Sequence, residues 1–410
     1  MNVELQINNS VSPGARFVSW APSPCRIRVT NPSGATTPTV SIRITGRSTT
    51  TGGVVVFRAG TTGAFASSVT LTVPINGTSV PFFVAGQFGR PSVNNGDVTI
   101  EARFGTTLVG SVPVMVRVRK NANNLTAGER DRFIAALAQL NNQGLGRFVD
   151  FREMHRTSIS LAQAHGAPGF LPWHRAYLLD LERELQAIDP SVALHYWRFD
   201  QPSPNLFTLG FLGVANSLGT VQFSATNPLR FWVTDTMLGI NRRPFFNTGS
   251  APPGLRTEAQ TLGLGTLYRQ FRTMEGNPHG SAHTSFGGFI ENPGTAPRDP
   301  LFFLLHCNVD RLWAKWQRQN LRFDSSVASS YDSNLPTGNR IGHNLPDTMW
   351  PWNGITGGQR PPTAPGGPLA TSPAATAPGP SPRVRDCLDY QGSINPIARM
   401  GFDYDDVLFA

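Results

Sequence analysis

The sequence predicts two domains: an all-β, Ig-like sandwich over 1–118, then a mainly α domain over 121–410 whose helices form a bundle. Three observations lead there. At 410 residues and 39% hydrophobic content the chain can bury two cores. Residues 1–118 alternate apolar and polar side chains between turn signals. From Asn121 the period lengthens to that of helices, and all eight histidines lie beyond it, between positions 155 and 343.

In the first region Arg26-Ile27-Arg28-Val29-Thr30, Val40-Ser41-Ile42-Arg43-Ile44 and Val98-Thr99-Ile100-Glu101-Ala102 have the two-residue period of half-buried strands. Asn31-Pro32, Gly52-Gly53, Asn76-Gly77 and Asn95-Gly96 supply turns at strand-length intervals, so about seven strands are expected. Residues 1–120 carry 11 Lys and Arg against 3 Asp and Glu, nearly all of the net charge of +9. The arginines stand singly between Thr, Val and Gly. A phosphate-tracking surface needs clustered cations, so a nucleic-acid partner is not expected.

In the second region Thr126-Ala127-Gly128-Glu129 has capping-box spacing, with Phe133, Ile134, Leu137 and Leu140 behind it. Helices are expected at 146–157, 174–188 and 300–320. In 174–188 the apolar stripe is Leu178, Leu181, Leu185 and Ile188; in 300–320 it is Phe302, Val309, Trp313 and Trp316. Asn277-Pro278 has N-cap and first-turn chemistry, which starts a short helix at 277–284. The Pro, Gly, Ala, Thr and Ser of 355–382 read as a long flexible surface loop. No apolar run reaches the roughly 20 residues that span a bilayer, and residues 1–5 lack signal-peptide character. Three scattered cysteines form no disulfide framework, so a reducing cytoplasm is the expected location.

His279 and His283, four apart, project from one helix face and can reach one metal ion. His306 lies on the apolar stripe of the last helix, where Asp310 one turn on can orient its ring. His165 and His174 bracket Gly166-Ala167-Pro168-Gly169-Phe170-Leu171-Pro172-Trp173, and His155 lies ten residues earlier. His195 reads as a structural histidine and His343 as an exposed one, either being a stand-in for His155.

The run from His165 to Glu182 and the run from Asp299 to Asp310 resemble the two copper signatures of the type-3 copper proteins: tyrosinases, catechol oxidases (polyphenol oxidases) and molluscan-type hemocyanins. The resemblance covers about 121–410. The 401–405 run, Gly-Phe-Asp-Tyr-Asp, resembles the aromatic motif that closes the family's catalytic domain. It implies two copper ions, the first held by His165, His174 and His155, the second by His279, His283 and His306. Neutral imidazoles suit copper in both oxidation states. The implied reaction is oxidation of small phenols, o-diphenols and also monophenols, to o-quinones with O2. An o-aminophenol oxidase and a hemocyanin-like oxygen carrier are the alternatives. Glu275 matches the family's acidic residue that holds a water near the second copper, a water that can act as the proton acceptor; as a plain helix N-terminal charge it would only complement the dipole.

Three positions depart from the family pattern. Gly280 stands where efficient monophenol hydroxylases often carry Asn, which favours diphenol oxidation. Leu305 replaces a second histidine before His306, and Arg198 replaces an Asp. Cys307, next to His306, points about 100° away on a helix, so a thioether to that histidine is not expected. The N-terminal domain is expected to make contacts within the chain or with a partner.

Overall fold

The computed structural model describes residues 1–143, 146–234, 236–333, 342–356 and 363–409. The chain divides into two compact units. One takes Met1–Val118 with Ser372–Ala377 and Gln391–Phe409; the other takes Arg119–Thr371 and Pro378–Tyr390.

The first unit is β-rich. Its strands are β1 (Asn2–Ile7), β2 (Phe17–Val18), β3 (Ser23–Asn31), β4 (Thr39–Ser48), β5 (Val55–Arg58), β6 (Ser68–Pro74), β7 (Val80–Gly86), β8 (Val98–Phe104) and β9 (Thr107–Val116). They form two sheets, ordered β1-β3-β7-β5 and β2-β9-β8-β4-β6, antiparallel except for the β2–β9 pair. Nine strands stand where about seven were expected; β2 and β5 are too short to show an alternation in sequence. The alternation itself is realised. Cys25, Ile27 and Val29 of β3, Val40, Ile42 and Ile44 of β4, and Val98, Ile100 and Ala102 of β8 share one buried core. Their intervening arginines stay outside and pair locally: Arg28 with Glu4 at 2.9 Å, Arg47 and Arg103 with Glu101 at 2.7 and 2.9 Å.

The 401–405 run, expected to close the helical domain, belongs to this β-rich unit. Trp20 Nε1 donates to the Tyr404 carbonyl at 2.8 Å, and Ala21 N–H to Asp403 Oδ2 at 3.0 Å.

The second unit is mainly helical: α1 (Ala127–Ala138), α2 (Phe148–Arg156), α3 (Ser158–Ala164), α4 (Phe170–Ile188), α5 (Glu258–Leu262), α6 (Tyr268–Phe271), α7 (Ser281–Thr284) and α8 (Leu301–Asn320). The Thr126/Glu129 capping box is formed. α4 starts four residues earlier than the stripe suggested, since Phe170, Leu171 and Trp173 are themselves buried helical residues. Asp299 anchors α8: its Oδ1 accepts the Leu301 N–H at 2.9 Å, while Arg242 makes a bidentate, buried pair with the same carboxylate at 2.5 and 2.7 Å.

α4 and α8 contact each other around a buried ionic network. Arg119 pairs with Glu182 at 2.7 Å and with Asp310 at 3.2 Å, and Arg175 Nε reaches Asp310 Oδ1 at 2.6 Å. Arg175 also lies over the Trp313 ring, 3.7 Å from its centroid. This corrects the reading of Asp310 as the group that orients His306, whose Nδ1 has no hydrogen-bond partner among the described residues.

Of the expected 355–382 loop, 357–362 lie outside the described residues. Much of the rest is tied down. The Ala370 N–H donates to Asp180 at 2.8 Å, the Ala370 carbonyl accepts from Arg183 at 2.9 Å, and Leu369 and Ala374 are buried. Backbone groups held by buried charges keep this Pro/Gly-rich stretch in place. Among the described residues no helix is long and apolar enough to cross a membrane.

Candidate metal centre

Five elements of the helical unit bring six histidines together. His155 is in the last turn of α2, His165 directly follows α3, His174 is on α4 and His306 on α8. His279 and His283 come from a helical turn built of Gly276–Gly280 and α7. Asn277, within the Gly276–Gly280 segment, has extended backbone, and its side chain does not cap the turn. Asn277 Oδ1 instead accepts the Arg256 N–H at 2.7 Å, and Nδ2 donates to the Gly254 carbonyl at 2.9 Å.

The histidines form two triads, His155/His165/His174 and His279/His283/His306, and within each triad one ligand atom per residue lies within 4.8 Å of the others. Five of the six rings are oriented by main-chain carbonyls. Nδ1 donates to Pro293 O from His155 (3.0 Å), to Leu161 O from His165 (3.3 Å), to Phe170 O from His174 (2.8 Å), to Glu275 O from His279 (2.7 Å) and to Ile290 O from His283 (2.6 Å). A proton fixed on Nδ1 leaves the Nε2 lone pair free, which is the tautomer a metal needs.

Burial holds all six rings neutral. Desolvation lowers His165 and His283 to about 4 and drives the other four well below the ordinary 6.5. The donor set fits two metal ions. The buried Nε2 atoms of His155 and His174 have no partner among the described residues, while those of His279 and His283 point at His306 Nε2 from 3.3 and 3.1 Å. Three all-nitrogen donors per ion suit copper and leave room for an exogenous ligand.

A cavity of about 270 Å³ opens onto the rings, lined by His155, His165, His279, His283, Phe302 and Glu291, with Gly280 and Thr284 on the α7 side. Phe302 lies 4.9 Å from His155 and 4.2 Å from His306 between ring centroids, an apolar wall between the triads.

Glu275 does not line this cavity. Its carboxylate accepts the Gly166 N–H at 2.6 Å, and desolvation is the largest influence raising it to about 7. The loop after His165 is held at two further points: Tyr268 donates to the Pro168 carbonyl at 2.6 Å, and His343 Nδ1 accepts the Gly169 N–H at 3.2 Å. His343 is therefore buried, 6% exposed, and not the exposed loop residue expected. Neither its spacing nor its neighbours in sequence signalled this contact.

His195 lies apart from both triads, accepting the Lys120 N–H at 3.3 Å and packing edge-on against Phe133. Arg198, unexplained from sequence, pairs with Glu258 and Asp200, each at 3.4 Å. The Cys307 thiol donates to the Leu194 carbonyl at 3.4 Å. Glu291 and Pro293 went unnoticed in sequence, because the 286–295 stretch has neither periodicity nor a motif.

The family model for the common central domain of tyrosinase matches residues 145–319. A tyrosinase of Streptomyces glaucescens is 34% identical over 268 residues, covering 58% of this chain and 92% of that protein. The grixazone synthase of Streptomyces griseus is 33% identical over 264 residues, covering 50% and 86%. Deoxygenated hemocyanin from Rapana thomasiana aligns with a TM-score of 0.47 and 23% identity, covering 71% of this chain and 70% of its own. Two histidine triads with free nitrogen donors and a tyrosinase relative matched over nearly its whole length lead to one conclusion: this chain belongs to the tyrosinase family of type-3 copper proteins and is a copper-dependent oxidoreductase of phenols.

Proposed function

We propose that this protein oxidises o-diphenols to o-quinones with O2 and turns over monophenols more slowly. His155, His165 and His174 would hold one copper, and His279, His283 and His306 the other. The observation that carries the reading is the cavity: it opens onto ligands of both triads, so a phenolic oxygen can approach either ion. When bound, the copper pair supplies the redox step between dioxygen and a closed-shell organic molecule.

The chain's own residues do the rest. Phe302 offers an aromatic surface between the triads and keeps the inner wall dry. The carbonyls of Leu161, Phe170, Glu275, Ile290 and Pro293 fix the imidazole tautomers. A phenol must lose its proton to bind as phenolate, and we assign Glu275, set back from the cavity, to take that proton through a bridging water. Its carboxylate is anchored on the loop of one triad through Gly166, and its carbonyl on a ligand of the other through His279.

Gly280 carries the preference for diphenols. It presents no side chain to the cavity, so nothing at this position assists deprotonation of the less acidic monophenol. We further read the β-rich unit as an Ig-like sandwich, with its boundary at 118, and the helical unit as a bundle around the copper pair.

Oxygen consumption by the copper-loaded protein tests the reading, with 4-methylcatechol, 4-methylphenol and 2-aminophenol as parallel substrates. Sustained uptake fastest with the catechol supports it. Faster turnover of the aminophenol would reassign the substrate class, and reversible O2 binding without consumption would make the protein a carrier.

A further inference from the structure

Among the described residues the cavity carries a single ionisable lining residue besides the histidines, Glu291. Its position follows from the site itself. The carbonyl of Ile290 accepts Nδ1 of His283, and the carbonyl of Pro293 accepts Nδ1 of His155. Residue 291 is thus pinned between the supports of one histidine from each triad. The turn is closed further by Thr295, whose hydroxyl donates to the Phe289 carbonyl at 2.8 Å, and by the Gly294 N–H, which donates to Asn292 Oδ1 at 2.8 Å.

Glu291 is exposed at the cavity mouth and makes no hydrogen bond or ion pair among the described residues. Its carboxylate lies over Gly287, where a Cβ would stand 3.8 Å from Oε2. The cation on the neighbouring strand, Arg243, lies toward the Phe245 ring instead.

We propose that Glu291 selects phenols whose side chain carries a cationic amine, and disfavours phenols that carry a carboxylate. This rests on the phenol-oxidase reading. A ring seated at the imidazoles directs its para substituent toward the mouth, where Glu291 is the one lining residue among those described that carries a charge. An ammonium there gains a solvent-exposed ion pair, worth up to about fivefold in affinity; a carboxylate there is repelled by a comparable factor. Salt at ~0.5 M would weaken both effects.

Binding can be read without turnover in protein loaded with zinc, which has no redox chemistry. Calorimetry would compare tyramine, 4-ethylphenol and 3-(4-hydroxyphenyl)propionate, which share a ring and differ in side-chain charge. The expected order is tyramine tightest and the acid weakest, with the tyramine-to-ethylphenol ratio falling toward one in Glu291→Gln. Equal affinities in the wild type, tightest binding of the acid, or a ratio unmoved by the substitution would each overturn the proposal. Oxidation of 4-methylcatechol by the copper-loaded protein separates the two readings. If it is oxidised while the charge order is absent, selection by Glu291 fails alone; if it is not oxidised, the oxidase reading fails and takes this proposal with it.

Discussion

The imidazoles of His174 and His306 stack face to face, with centroids 4.1 Å apart and planes inclined by 14°. One comes from each triad, and each sits on one of the two long helices, α4 and α8. The stack brings the two donor sets side by side, which is the arrangement a cooperating metal pair requires. The Arg119/Glu182/Asp310/Arg175 network lies between the same two helices.

Removing a charge from that network isolates buried partners. Asp310→Asn leaves Arg175 and Arg119 without one of their carboxylates, so a loss of about 3–5 kcal/mol in urea unfolding is expected. A loss below about 1 kcal/mol would mean that the network does not hold α4 against α8.

The loop joining α3 to α4 has no space for a larger residue at Gly169. A Cβ there would meet Gln163 O at 2.6 Å, Gly342 O at 2.7 Å and His343 Nδ1 at 2.7 Å. Gly169→Ala should destabilise by about 1–3 kcal/mol and, because His165 and His174 flank this loop, lower copper content at the first triad. Metal analysis of the purified variant checks the second effect.

Glu275→Gln keeps an oxygen for the Gly166 N–H but cannot accept a proton. The expected result is two coppers retained with kcat on catechol lowered about a hundredfold. Full activity in this variant would remove Glu275 from the chemistry.

Gly280→Asn is expected to raise the monophenol-to-diphenol rate ratio several-fold. A Cβ at 280 meets only Glu275 O, at 3.3 Å, so that carbonyl must give by a few tenths of an ångström to admit the side chain. The ratio of oxygen uptake on 4-methylphenol and 4-methylcatechol reads the effect.

His195 makes stability depend on acidity. Burial, the largest influence, lowers it from 6.5 to about 3. Above pH 6.5 it is neutral in both folded and unfolded chains and contributes nothing. Between 6.5 and about 3 the unfolded chain takes up a proton that the folded chain does not, so stability falls as pH drops, by a few kcal/mol at about pH 4. His195→Gln, which can still accept the Lys120 N–H, should reduce this slope in urea titrations across the window.

How much could be read beforehand follows from which interactions are local. Of the six candidate ligands, His279 and His283 are legible from their four-residue spacing, and His165, His174 and His306 from their likeness to the two copper signatures; no signature fixes His155. The strands of the β-rich unit announce themselves because Ile27, Ile42 and Ile100 alternate with solvent-facing neighbours. Contacts between distant segments leave no such pattern. Asp310 looked like the partner of His306 because only its own helix was visible; the competing cations, Arg119 and Arg175, come from elsewhere. His343 reaches Gly169 across 174 positions. The 401–405 run was assigned by likeness to the helical domain, yet Trp20 and Ala21 bind it within the β-rich unit. Glu291 becomes visible only once Ile290 and Pro293 are seen to support His283 and His155.

Oxygen uptake by protein carrying two coppers per chain, supplied with a simple catechol, tests the central claim most directly. The account predicts consumption over many turnovers, with quinone formed in step. Two coppers bound with no sustained uptake on catechol would contradict it.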